Sequence, residues 1–156
     1  MNEKERQERK EKDQQLIDFI LSHPLESFID KWENIPLFES QKQLSAQKRS
    51  AIREERLHQN RNGLAASLQA MGTGVMPSWW NQLSILNFPV LLIAGEWDHK
   101  FVSISKKMND YLPNSRIEVI SEAGHAIHVE QLKKFGTIVE EFINQRRSSY
   151  DNRVGK

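Results

Sequence analysis

The segment Phe88-Pro89-Val90-Leu91-Leu92-Ile93-Ala94 constrains the fold of this chain more than any other. It is a continuous apolar run bounded by Asn87 and Gly95. Such a run reads as a strand buried on both faces, the kind found in parallel sheets. After it the pattern predicts a helix from about Val102 to Leu112 and a turn at Pro113-Asn114-Ser115. A second strand follows at Arg116-Ile117-Glu118-Val119-Ile120. A loop from Ser121 to Val129 leads into a last helix ending near Arg147, and residues 148–156 are expected to form a disordered tail. The order β-α-β-α predicts a parallel pair joined by a crossover helix. Two strands do not make a doubly covered sheet. A strand as apolar as Val90–Ala94 needs neighbours on both edges, and these residues encode too few of them.

The first 86 residues read as helix throughout. The charged opening runs without Gly or Pro into Leu16, Phe19 and Ile20 at helical spacing, and Pro24 stops it. Leu25, Phe28, Ile29 and Trp32 form the stripe of a second helix, from Pro24 to Asn34, followed by an apolar loop, Ile35-Pro36-Leu37-Phe38. A third helix is expected from Ser45 to His58. Ser45 caps it, but Lys48 stands where a capping box would want Glu. Asn60–Gly63 reads as a turn, Leu64–Met71 as a fourth helix ended by Gly72-Thr73-Gly74, and Pro77–Leu86 as a further helical turn. The expected division is therefore a helical region over 1–86, a β-α-β-α part over 87–147 and the tail.

A net charge of +1 gives no reason to expect nucleic acid or an anionic membrane as partner. No cysteine is present, so disulfides and thiolate chemistry are excluded. No apolar run approaches the roughly 20 residues that span a bilayer. The charged N-terminus lacks a signal-peptide core, so a cytoplasmic protein is expected.

Chemistry concentrates in two segments, Gly95-Glu96-Trp97-Asp98-His99-Lys100-Phe101 and Gly124-His125-Ala126-Ile127-His128-Val129-Glu130. Each follows a predicted strand, and function in open α/β sheets gathers at the carboxyl ends of strands. Asp98 and His125 should therefore share one rim. That is the placement an Asp–His pair needs, with the carboxylate on the Nδ1 proton and Nε2 toward the reacting group. Taken singly, Asp98 would be an ordinary turn residue and His125 a surface or capping residue. The order Asp then His, each after a strand, matches the last two members of the α/β-hydrolase triad. The first member is missing: no Gly-x-Ser-x-Gly occurs, and neither Ser67 nor Ser78 sits on a strand-to-helix elbow. Oxyanion donors would also lie upstream of Met1. A zinc reading of His125, His128 and Glu130 is disfavoured, because the spacing falls in a loop and helix start. No metal or other cofactor is expected.

These two segments, together with Trp32-Glu33-Asn34-Ile35-Pro36-Leu37-Phe38, resemble the 2-succinyl-6-hydroxy-2,4-cyclohexadiene-1-carboxylate synthases of menaquinone biosynthesis. The resemblance runs from about Arg9 to Phe142. It implies the C-terminal part of an α/β-hydrolase fold, two parallel strands with helices, preceded by a helical cap. It also implies a lyase that eliminates pyruvate from 2-succinyl-5-enolpyruvyl-6-hydroxy-3-cyclohexene-1-carboxylate. Residue by residue, Asp98 resembles the triad acid and His125 the triad histidine. Trp32 resembles a cap tryptophan lining the substrate pocket, and Arg56 a cap arginine that binds a substrate carboxylate, with Arg53 as the alternative. Arg9 resembles a further arginine at the cap entrance. Arginine forks and an aromatic wall suit a cyclic polycarboxylate. The ordinary reading of Arg56 is a solvated helix residue paired with an acid, and of Trp32 a core aromatic.

The expected partners are a small polycarboxylate substrate and a separately encoded or missing N-terminal half. Three readings stand side by side: half of this lyase, half of an ester or carbon–carbon bond hydrolase, and a non-catalytic remnant. Alone, the chain is expected to be inactive, and aggregated or loosely packed because its apolar strand lacks cover.

Overall fold

A computed structural model describes residues 2–154, with side chains described to residue 145. The chain divides into two compact units, one of residues 1–36 and 44–79, the other of residues 37–43 and 80–156. Among the described residues, no helix is long and apolar enough to cross a membrane.

The first unit holds four helices: α1 (Glu3–Ser22), α2 (Leu25–Glu33), α3 (Ala46–Leu57) and α4 (Arg61–Met71). Helix α1 opens with a full capping box, in which the Asn2 side chain accepts from Glu5 N and the Glu5 carboxylate accepts from Asn2 N. Ser45 accepts from Lys48 N at the start of α3, the partial cap expected there. The Asn60–Gly63 turn is instead the start of α4, because the Asn60 side chain accepts from Gly63 N and nucleates the helix. The helical stripes meet in a core of Ile17, Ile20, Phe28, Ile29 and Ala65, with Trp32 packed against it.

The second unit carries β1 (Val90–Gly95), α5 (His99–Tyr111), β2 (Ser115–Ile120), α6 (Ile127–Glu130) and α7 (Leu132–Val154). Short 3-10 helices cover Pro36–Gln43 and Trp80–Ile85. The expected boundary at residue 86 thus differs from the units found: residues 37–43 and 80–86 group with the strands. Strands β1 and β2 pair in parallel, Val90 opposite Ser115 through Gly95 opposite Ile120. Helix α7 runs on to Val154, so residues 148–154 continue the helix instead of forming a disordered tail. No Gly or Pro falls between Thr137 and Val154, and polar side chains alone do not stop a helix. Residues 155 and 156 of the expected tail lie outside the described residues.

Candidate active site

The sheet register brings the two chemical segments level. Gly95 ends β1 opposite Ile120, which ends β2, so both loops leave the sheet from one rim. Backbone bonds then hold the loops together, from Glu96 N to the Ile120 carbonyl (2.9 Å) and from Trp97 N to the Ala123 carbonyl (2.9 Å). Gly95 permits this approach. A Cβ there would stand 2.0 Å from the Gly124 carbonyl oxygen and 2.5 Å from that of Ala123.

Asp98 serves two structures at once. Its Oδ1 accepts from Phe101 N (3.2 Å) and caps α5, which therefore begins at His99, three residues earlier than the apolar pattern implied. Its Oδ2 lies 2.7 Å from His125 Nδ1. An ionised carboxylate accepts there from Nδ1–H, the tautomer in which a neutral ring carries its lone pair on Nε2. The Asp98 side chain is 7% exposed and that of His125 33%, which leaves the acid sheltered and the ring accessible. Phe101 and Phe38 tilt against the imidazole with centroids 4.7 Å and 6.2 Å away. Phe38 comes from the 3-10 helix between α2 and α3. The segments quoted for the resemblance contain both phenylalanines, but nothing in their pattern assigned either to the histidine.

Arg53 and Arg56 form a cluster with two carboxylates in the first unit. Arg53 donates from Nη1 to Glu33 Oε2 (2.8 Å) and from Nη2 to Asp30 Oδ1 (2.7 Å). Those bonds, first to Asp30 and then to Glu33, raise its pKa above the ordinary guanidinium value. Arg56 donates to Glu33 Oε1 at 3.3 Å. Trp32 stacks on Phe28 with centroids 5.6 Å apart. Trp32 and Arg56 also line one largely apolar cavity of about 290 Å³ with Leu16, Phe28, Leu64 and Met71. Arg9 donates from Nε to both oxygens of the buried Asp13 (2.8 and 2.9 Å) and does not line that cavity. Asp98 and His125 are thus brought together, as are Trp32 and Arg56 in one cavity and the two arginines on Glu33.

Among the described residues, no group of three or more His, Cys, Asp or Glu side chains could hold a metal ion. The Glu130 oxygens of the spacing-based zinc reading are taken up by hydrogen bonds from Ser40, Gly124 and Ala126.

No protein-family model matches the chain. A Bacillus subtilis protein whose name proposes a 2-succinyl-6-hydroxy-2,4-cyclohexadiene-1-carboxylate synthase is 52% identical over 139 residues, 89% of this chain and 51% of that protein. The synthase of that name from Salmonella typhimurium is 33% identical over 129 residues, 83% of this chain and 48% of the enzyme. The structure of MenH from S. aureus superposes with a TM-score of 0.92 at 37% identity, over 94% of this chain and 55% of that one. A thermophilic esterase from Thermogutta terrifontis shares the fold at a TM-score of 0.76 and 23% identity, over 88% of this chain and 50% of the esterase. The fold is the α/β-hydrolase fold, present as its C-terminal part. The chain spans about half the length of the relatives it matches.

Proposed function

We propose that this chain, which is similar over about half of their length to the 2-succinyl-6-hydroxy-2,4-cyclohexadiene-1-carboxylate synthases, supplies the acid and histidine of a lyase that eliminates pyruvate in menaquinone biosynthesis. The observation that carries the reading is the 2.7 Å contact between Asp98 Oδ2 and His125 Nδ1. In the proposed reaction His125 Nε2 takes the proton of a serine hydroxyl, and Asp98 holds the tautomer and the imidazolium that forms. The serine would come from residues outside these 156. The substrate loses a ring proton, its carbon–oxygen bond to the enolpyruvyl group breaks, and the electron pair leaves on that oxygen. The enolpyruvate then gains a proton at carbon and departs as pyruvate.

In the same proposal Trp32 forms an aromatic wall for the ring, and Arg56 binds a substrate carboxylate. The support is their shared cavity, which sets one cation in a largely apolar lining that also holds Gln59 and Ser67. Arg53 and Arg9 are the weaker candidates, since neither lines that cavity. The test is a pyruvate-release assay on the chain co-expressed with the part of the S. aureus relative that it does not match. Release by the pair and by neither part alone is expected. No release from a stably assembled pair would remove the lyase reading.

A further inference from the structure

The carboxylate of Glu130 has no part in the chemistry proposed above, yet it reaches back to the residues on either side of His125. Its Oε2 accepts from Gly124 N at 2.6 Å, and its Oε1 accepts from Ala126 N at 3.2 Å. Oε1 also accepts from the Ser40 hydroxyl at 3.0 Å. The imidazole itself is steered by one side-chain bond, to Asp98. Where that ring can stand depends on where its backbone stands, and one carboxylate holds the amides before and after it. Ser40 belongs to the 3-10 helix Pro36–Gln43, which also places Phe38 against the imidazole. Packing at this point is tight, since a Cβ on Gly124 would meet Ser40 Oγ at 2.1 Å and Ser40 Cβ at 2.7 Å. The three donors use most of the acceptor capacity of a carboxylate, which offers about four lone-pair sites.

From this geometry we infer that Glu130, anchored by Ser40, is a positioning residue that fixes His125 against Asp98 by clamping the backbone on both sides of the histidine. It touches no reacting atom and acts through the loop. A neutral amide cannot replace it, because Gln offers one acceptor oxygen and would turn an NH2 toward a backbone N–H. Removing Ser40 Oγ should loosen the clamp less, because both backbone bonds survive.

The inference rests on the reading of His125 as the base, so the test needs one readout that does not depend on activity. Histidine-labelled chain, assembled with the complementary part of the S. aureus relative, is observed by proton–nitrogen NMR at His125 Nδ1. The same samples are assayed for pyruvate release. Glu130→Gln is expected to lose or broaden the Nδ1–H resonance and to lower kcat about ten- to a hundredfold with KM nearly unchanged, the scale of misplacing a catalytic group by about 1 Å. Ser40→Ala should move both readouts the same way by less, and Glu130→Asp should recover part of the loss. If Glu130→Gln fails to fold by circular dichroism, Ser40→Ala decides. An intact resonance and unchanged kcat in the folded variant overturn the inference, as does a rise in KM alone. If the assembled wild type releases no pyruvate while the resonance still responds to Glu130→Gln, the lyase reading fails and the clamp stands.

Discussion

The two units of this chain bury their apolar residues by different means, and both leave some of them exposed, Met71 and Trp79 in the first unit among them. The helices of the first unit close on each other, leaving Ile20 2% and Ile29 1% exposed. The second unit buries three alanines, Ala94, Ala123 and Ala126, and three larger residues, Leu112, Ile120 and Ile127. Val90, Leu91, Leu92 and Ile93 of its most apolar strand stay half-exposed. Ile85, Phe88 and Val119 of the same unit are exposed outright. An amphipathic helix needs one partner for its stripe, whereas a strand apolar on both faces needs two layers and two neighbours. Among the described residues β1 has one neighbour, β2. The difference teaches that helices can close a core, and an Asp–His pair can form, in a chain whose two-stranded sheet stays half-buried.

The largest expected effect lies at the pair. In the assembled protein, His125→Ala and Asp98→Asn should each lower turnover by roughly a thousandfold or more, since triad members act as a unit. Steady-state pyruvate release measures this, and unchanged turnover in His125→Ala would end the triad reading. Next comes the closed core: Ile29→Ala should destabilise by about 2–5 kcal/mol in urea unfolding of the chain. Leu91→Ala in the half-exposed strand should cost clearly less. Equal costs would mean that the two units are equally well packed. In the arginine cluster, Arg56→Ala should weaken substrate binding by about 1.5–3 kcal/mol, seen as a higher KM. An unchanged KM would return Arg56 to its pairing with Glu33. The smallest effect is at Gly136 inside α7, where an added Cβ meets nothing within 4 Å. Gly136→Ala should stabilise the chain by about 0.5–1 kcal/mol, and a lower melting temperature would mean that the site is not open.

Much of the fold was legible because its signals are local. The run Val90–Ala94, the stop at Pro24, the Ser45 cap and the strand-then-loop placement of Asp98 and His125 all follow from short-range chemistry. What escaped needed partners far away in sequence. Asp98 starts α5 early because the residue expected as an acid is also a helix cap. Residues 37–43 group with the strands, and Ser40 there bonds Glu130, ninety positions later. Nothing near Phe38 in sequence announces the His125 ring it faces. Residues 148–154 differ from the disordered tail expected at a chain terminus because no Gly or Pro there stops the helix.

Hydrogen exchange, read amide by amide with and without the complementary part of the S. aureus relative, tests the contrast between the units most directly. Local protection reports how securely each segment is closed. For the chain alone, the amides of α1 and α4 should be protected and those of β1 should exchange quickly. Adding the complementary part should slow β1 by at least about tenfold and leave α1 and α4 little changed. Strong protection of β1 in the chain alone, unaltered by the added part, would contradict the reading of the second unit as a sheet awaiting its cover.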